Sequence, residues 1–138
     1  MKYAPGELRV VAYKHGKRWA TAVMRTTGAT TKLKLAADRK TVSADGKDLS
    51  FITVTVADKR GDLVPRSKNA IKFTVTGPGE IVAVDNGDAT SFEPFQASER
   101  KAYNGLALVI VRATAPGKIT VTAKSEGLKL ADVVIRAK

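Results

Sequence analysis

Residues 85–105, DNGDATSFEPFQASERKAYNG, hold the densest group of side chains that could do chemistry. The segment contains four carboxylates, Asp85, Asp88, Glu93 and Glu99. A glycoside-cleaving pair needs two carboxylates about 5–5.5 Å apart for retention or about 6.5–9.5 Å apart for inversion. No segment of the chain predicts a cleft that could bind a substrate beside them. The sequence therefore favours a non-catalytic role for this group.

Metal binding is the second chemistry that these residues suggest. Asp85, Asn86 and Asp88 could offer oxygen ligands to Ca²⁺, but their spacing differs from that of the 12-residue calcium loop. A turn at Asn86, in which Asp88 caps the following backbone, explains the same residues. The chain has no cysteine, and its single histidine, His15, excludes a centre with several histidine ligands. We predict no metal site and no cofactor.

The loop also carries aromatic side chains, Phe92, Phe95 and Tyr103. They could fold back as a lid on their own domain, or they could dock on another domain. In a third interpretation they stack on sugar rings while Asp88 and Glu93 accept hydroxyl hydrogen bonds. The candidate interdomain or sugar-contact residues are Asn86, Asp88, Phe92, Glu93, Phe95, Tyr103 and, outside the loop, Trp19.

Most connections have about 4–6 residues, and longer ones tend to be functional or disordered. We expect this loop to be a structured interdomain element that Phe92 and Phe95 anchor and that Asn86-Gly87 turns the chain into. Pro94 is expected to stiffen it. Arg100 and Lys101 are expected to pair with Asp88 or Glu93 at the surface, where an ion pair contributes about 0–1 kcal/mol.

Composition narrows the class of protein further. The 138 residues are 43% hydrophobic, which allows one packed core, and carry a formal net charge of +11. The basic residues are spread over strands and turns, without the recognition helix or aromatic strand of nucleic-acid-binding modules, so no nucleic-acid partner is predicted. The longest apolar runs are far shorter than a membrane span of about 20 residues. The first residues lack the apolar core of a signal peptide.

Alternating apolar and polar residues dominate the rest of the chain. Segment 51–58, FITVTVAD, repeats with a period of two and is rich in β-branched residues, and six other segments have the same pattern. The seven predicted strands are 33–38 with its continuation TVSAD, 48–58, 71–76, 80–84, 106–113, 118–124 and 128–137. Short strands with turn signals every 8–12 residues predict an all-β fold, a seven-stranded antiparallel immunoglobulin-like sandwich.

The first 28 residues fall outside this count. Segments 7–13 and 18–26 predict a β-hairpin about the turn His15-Gly16-Lys17, followed by the polar run TTGATT. We predict a domain boundary near residue 29, with residues 1–28 forming the closing hairpin of a preceding, truncated β-domain and residues 29–138 forming the sandwich. Trp19 would lie in the core of that preceding domain or serve as a sugar platform. An unpaired hairpin edge could also promote self-association.

Two stretches resemble a known family. YAPGELRVVAYKHGKRWATAVMRTTG resembles the closing hairpin of a β-domain that follows the catalytic barrel in β-galactosidases of glycoside hydrolase family 2. Residues 33–128 are similar to the C-terminal immunoglobulin-like domain of these enzymes. This similarity is carried most specifically by the combination of DGKDL (45–49), NGD (86–88) and SFEPF (91–95). The pattern ADG…DLSFITVTVADKRGDLVP is also similar to bacterial immunoglobulin-like repeats of the invasin type.

The resemblance implies a non-catalytic accessory module of a bacterial β-galactosidase-like enzyme. The catalytic and other β-domains of that enzyme would be its partners, carbohydrate would be a further possible partner, and the parent protein would be periplasmic or extracellular. The family's two catalytic glutamates lie on a barrel that no segment here resembles. A carbohydrate-binding module and an adhesin-type repeat remain as alternative functions.

Overall fold

The protein is described here by a computed structural model, which covers residues 4–138 and consists of β-strands and loops. None of these residues forms a helix with the length and apolarity needed to cross a membrane. The strands are β1 (Glu7–Lys14), β2 (Lys17–Arg25), β3 (Lys32–Ala37), β4 (Thr41–Val42), β5 (Leu49–Ala57), β6 (Ala70–Thr76), β7 (Gly79–Asp85), β8 (Glu99–Lys101), β9 (Leu106–Ala113), β10 (Gly117–Lys124) and β11 (Ala131–Ala137).

Strands β3 to β11 form two sheets that pack face to face. One sheet has the order β4-β11-β10-β6-β8, and the other has the order β3-β5-β9-β7. The apolar residue of each alternating pair points inward, as the sequence pattern predicts. The side chains at the centre of this core include Ile52, Val54, Phe73, Val109, Ile119, Val121 and Ile135. The predicted all-β sandwich is confirmed.

Two short strands raise the sandwich from the predicted seven strands to nine. The segment predicted as 33–38 with TVSAD as its continuation is divided between the sheets, because Asp38 accepts backbone N–H bonds from Arg39 at 2.7 Å and Phe51 at 2.8 Å and so interrupts the strand. Beyond this break, β4 joins the other sheet and pairs with β11 in parallel. The second addition, β8, lies inside the 85–105 loop and pairs with β6. Its residues Glu-Arg-Lys carry no apolar alternation, which is why the sequence pattern does not reveal it.

Strands β1 and β2 form the predicted hairpin as a separate two-stranded sheet. His15 and Gly16 occupy its turn with positive φ angles of 50° and 73°, as a two-residue hairpin loop requires. Opposed pairs in the register are Leu8 with Met24, Val10 with Ala22, and Ala12 with Ala20. Because alternate residues share a face, one side of this ribbon is apolar throughout. We call these six residues the hairpin apolar face. Leu8 is 65% exposed and Met24 is 73% exposed, so the described residues leave this face uncovered.

A buried aspartate joins the hairpin to the sandwich. Asp58 is 2% exposed, and its Oδ2 accepts the backbone N–H of Gly28 at 3.0 Å. Its Oδ1 accepts the backbone N–H groups of Arg60, Gly61 and Asp62, at 2.9, 3.0 and 3.0 Å. The N–H of Gly28 is the largest influence that holds the pKa of Asp58 below its usual range, and those of the turn act in the same direction. The connection at residue 28 is therefore fixed to the end of β5.

Candidate functional site

The loop after β7 is an ordered element built around one buried cation. Arg100, on β8, is 1% exposed, and its guanidinium faces the loop. Its Nη1 donates a hydrogen bond to the backbone carbonyl of Glu93 at 2.7 Å, and its Nη2 donates one to Asn86 Oδ1 at 3.2 Å. The guanidinium also lies 3.5 Å from Asp85 Oδ1 and 3.6 Å from Glu93 Oε2. The start and the middle of the loop are thus tied to the same side chain.

The start of the loop is a set of aspartate- and asparagine-capped turns. Asp85 Oδ1 accepts the backbone N–H of Asn86, and Asn86 Oδ1 accepts that of Asp88 at 3.0 Å. Asp88 in turn accepts both the backbone N–H and the hydroxyl of Thr90, at 2.9 and 2.7 Å. The turn interpretation therefore accounts for the Oδ1 atom of each of these three residues. No group of three or more histidine, aspartate or glutamate side chains in residues 4–138 is arranged to hold a metal ion.

Five of the predicted contact residues come together at one surface depression of about 330 Å³. These five are Asn86, Asp88, Phe92, Glu93 and Tyr103, and the depression is completed by Lys68, Ser91, Lys101 and Ala102. The fold brings Tyr103 to the others because Asn104 and Gly105, with φ angles of 50° and 78°, form a two-residue turn directly after it. The lining combines aromatic rings with carboxylate, amide, hydroxyl and ammonium groups.

The charges of the depression suit binding better than acid–base chemistry. The hydroxyl of Thr90 is the largest influence that lowers the pKa of Asp88, which remains ionised at neutral pH. A general acid needs the opposite shift, towards the working pH. Glu93 is engaged by Arg100 and also accepts the backbone N–H of Lys101 at 3.3 Å. Both carboxylates therefore act as fixed hydrogen-bond acceptors in this arrangement.

The other two predicted contact residues lie elsewhere. Phe95 is half exposed, and the guanidinium carbon of Arg100 lies 5.4 Å from the centre of its ring, a cation–π distance. Trp19 is on the hairpin, where Lys14 Nζ lies 5.5 Å from its ring centre. Phe92 is fully exposed. The prediction that Phe92 and Phe95 fold back as a lid on the sandwich is therefore wrong for Phe92, because its ring points into solvent.

The sequence pattern places Arg100 at the surface, which is wrong, and it does not single out Asp58 at all. Arg100 was expected to pair at the surface with Asp88 or Glu93. It does pair with Glu93, but it is buried, while Asp88 is occupied by Thr90. The Asn104-Gly105 dipeptide signals the turn between Tyr103 and Leu106, since Asn-Gly is the strongest short-range hairpin signal. It does not reveal the position of Arg100, because β8 pairs with β6 in the other sheet.

Comparisons with known proteins agree with this architecture. The family model described as glycoside hydrolase family 2 C-terminal domain 5 matches residues 33–134. A curated β-galactosidase, BoGH2A from Bacteroides ovatus, is 43% identical over 138 residues, which cover 99% of this chain and 16% of that protein. The chain therefore spans about one sixth of the length of this relative.

Solved structures give the same result. A glycosyl hydrolase family 2 member from Bacteroides cellulosilyticus matches the whole chain with a TM-score of 0.91 and 36% identity, and the match covers 18% of its own chain. A β-glycosidase from Bacteroides vulgatus matches 97% of this chain, and 18% of its own, with a TM-score of 0.93 and 28% identity. A C-terminal fragment of intimin matches 80% of this chain, and 33% of its own, with a TM-score of 0.53 and 26% identity. The chain belongs to the glycoside hydrolase family 2 C-terminal domain 5 family.

Proposed function

We propose that this chain is a non-catalytic module of a larger β-galactosidase-like glycoside hydrolase, which it stabilises or positions by docking on the rest of that enzyme. The observation that carries this function is the hairpin apolar face, which the described residues leave uncovered. An isolated two-stranded hairpin is marginally stable in water, so this ribbon needs a partner. Relatives about six times longer offer that partner within one polypeptide.

The geometry of the connection supports this function. Gly28 is bound to Asp58, and the Arg60 guanidinium donates a hydrogen bond to the carbonyl of Thr26 at 2.9 Å. A hairpin docked on a neighbouring domain would therefore transmit its position to the sandwich through fixed hydrogen bonds. We propose accordingly that residues 1–28 belong to a preceding β-domain and that residues 29–138 form the attached module.

A single charge on the hairpin apolar face tests the function. Leu8→Asp is expected to lower the melting temperature of the longer enzyme by several degrees and to leave that of the 138-residue chain nearly unchanged. Thr21→Asp is the matched control, because Thr21 is also exposed but lies on the opposite face of the ribbon. Hydrolysis of a small β-galactoside, measured with and without residues 29–138, then shows whether the module supports turnover. Equal melting temperatures for the two variants in the longer enzyme would contradict docking through this face.

Sugar binding is the second candidate function, and one observation favours it. Phe92 presents a fully exposed ring beside a depression that contains the acceptor groups of Asp88, Glu93 and Asn86. Aromatic stacking combined with planar hydrogen-bonding side chains is a chemistry that suits sugar rings. Titration of the chain with a galactose-containing polysaccharide would detect such binding, and Phe92→Ala or Tyr103→Ala should then abolish it.

The similarity to intimin supports an adhesin-type repeat only at the level of the fold. That function predicts tandem copies of this domain in the longer protein and no catalytic barrel before it. A location in the periplasm or outside the cell remains a prediction. Self-association through the hairpin edge also remains one, and light scattering of the 138-residue chain would test it.

A further inference from the structure

The outward faces of the two sheets differ in chemistry. On β6 and β10 of the five-stranded sheet, the outward positions are occupied mainly by Lys and Thr, with Lys72 opposite Lys124, Thr74 opposite Thr122, and Thr76 opposite Thr120. This is the surface expected of an antiparallel sheet with one face in the core and the other in water.

The four-stranded sheet departs from that rule. In β9, which lies between β5 and β7, the small residues and valines point into the core, while Leu106, Leu108 and Ile110 point outward. Phe51 lies directly opposite Ile110 on the neighbouring strand, with 38% of its surface exposed. Leu106 is 37% exposed. Leu108 and Ile110 are half-buried. Large aliphatic and aromatic residues therefore occupy the middle of this outward face, and Phe51 and Leu106 remain partly exposed there. We call Phe51, Leu106, Leu108 and Ile110 the sheet apolar face.

This face continues towards the hairpin. Tyr103 lies opposite Leu106 across the Asn104-Gly105 turn. Leu63 bridges Ala57 at the end of β5, and its Cδ1 lies 2.8 Å from the position that a Cβ on Gly105 would occupy, which places Leu63 beside the same turn. The next two residues along the chain, Val64 and Pro65, line a depression together with Leu8 and Met24 of the hairpin apolar face. Exposed apolar residues thus connect the two faces across one side of the molecule.

We infer that the sheet apolar face is a second docking surface, and that its occupant is another domain of the same glycoside hydrolase polypeptide. The inference rests on the function proposed above, because that function supplies the longer polypeptide. The structures of two family 2 relatives contain this fold as 18% of a longer chain, so more than four fifths of each polypeptide lies outside it. Contiguous exposed apolar surface of this kind marks protein–protein contact sites. Because this surface is continuous with the hairpin apolar face, one neighbouring domain could cover both surfaces.

The test uses the double variant F51E/L106E and a matched control. Phe51 and Leu106 are both partly exposed, so the 138-residue chain should still fold with F51E/L106E. The control is T74E/T76E, which places the same two charges on the outward face of the other sheet. In the longer enzyme, F51E/L106E should lower the melting temperature by several degrees more than T74E/T76E does. It should also speed proteolytic cleavage at the 26–31 connection.

The outcomes separate this inference from the proposed function. If Leu8→Asp destabilises the longer enzyme but F51E/L106E behaves like its control, the sheet apolar face is not a docking surface and the proposed function stands. If neither variant has an effect, both ideas are wrong. If the 138-residue chain forms a dimer in light scattering that F51E/L106E alone disrupts, and the longer enzyme is unaffected, the occupant is a second copy and the inference is overturned.

Discussion

Arg100 contacts Glu93 twice, by a hydrogen bond to its backbone carbonyl and by an ion pair with its carboxylate. Its Nη1 donates to the carbonyl of Glu93 at 2.7 Å, and its Nε lies 3.6 Å from the carboxylate of the same residue. Glu93 lies in the middle of the loop, whereas Arg100 lies on a strand of the five-stranded sheet. The loop is therefore fixed to the sandwich at its midpoint, which gives Phe92 a defined position in solvent. We therefore expect the order of this loop to depend on Arg100. Any docking or sugar contact that the loop makes would depend on Arg100 as well.

Loss of the Arg100 guanidinium should destabilise the domain markedly. Arg100→Met removes the donor for Glu93 and Asn86 and takes the buried cation away from the carboxylates of Asp85 and Glu93. Removing one member of a buried pair costs about 3–5 kcal/mol, and since these two carboxylates keep partial solvent contact we expect about 2–4 kcal/mol. Urea unfolding of the 138-residue chain measures this loss.

The neighbouring Lys101 provides the control for that experiment. Its Nζ lies 4.0 Å from Glu93 Oε1, and its side chain is exposed. Lys101→Met should change the free energy of unfolding by no more than about 0.5 kcal/mol. Similar losses for the two variants would mean that the cation at position 100 does not hold the loop.

Truncation of two adjacent residues of β5 should lower the free energy of unfolding by very different amounts. Ile52 is buried in the core, so Ile52→Ala should cost about 2–5 kcal/mol through lost burial and an unfilled cavity. Phe51 points out of the sheet, so Phe51→Ala should cost less than about 1 kcal/mol in the 138-residue chain. Thermal unfolding of both variants checks the difference. A large loss for Phe51→Ala would show that its ring is already covered, and the sheet apolar face would then not be free to dock.

The connection at Gly28 should weaken in acid. Since its hydrogen bonds hold the pKa of Asp58 below the ordinary value of 3.8, the folded state binds this proton less readily than the unfolded chain does. The corresponding stabilisation is fully present above about pH 3.8 and is lost as the pH falls through the lower folded-state value. Hydrogen exchange at the backbone amides of Gly28 and Gly61, measured from pH 6 downwards, follows this loss.

Asp58→Asn is the matched variant for the acid experiment. It keeps one oxygen acceptor but removes the titrating charge. Amide protection at Gly28 should then be lower at neutral pH and should lose the part of its pH dependence that Asp58 causes. Unchanged pH dependence would assign the effect to another of the carboxylates with a lowered pKa, which are Glu7, Asp45, Asp48 and Asp88.

Two glycines in turns separate backbone strain from steric clash. Gly105 has a φ of 78°, and a Cβ there would lie 2.3 Å from the carbonyl oxygen of Val64. Gly87 has a φ of 76° with nothing within 4 Å. Gly87→Ala should therefore cost about 1 kcal/mol of strain, while Gly105→Ala should cost more than about 2 kcal/mol. Equal losses in denaturant unfolding would show that the turn at Gly105 can move away from Val64.

The sequence by itself determined the strands that form the core and the hairpin that precedes them. In β5 and β10, apolar β-branched residues alternate with polar ones, and this local period sets which residues face inward. His15-Gly16 fixed the hairpin turn, because such a turn needs positive φ at both positions. The family resemblance likewise depended on local motifs, and the comparisons confirmed it.

Only the tertiary structure decided the features that depend on residues distant in sequence. Arg100 is buried because the loop folds back over it, and nothing in the neighbouring Glu99 and Lys101 indicates this. The break at Asp38 moves β4 to the other sheet through a hydrogen bond to Phe51, thirteen residues further along. The apolar outward face of β9 is extended by Phe51 only because the register of β5 sets that residue beside Ile110, which is far from it in sequence. Burial depends on what lies opposite a residue in space, and the period of one strand does not contain that information.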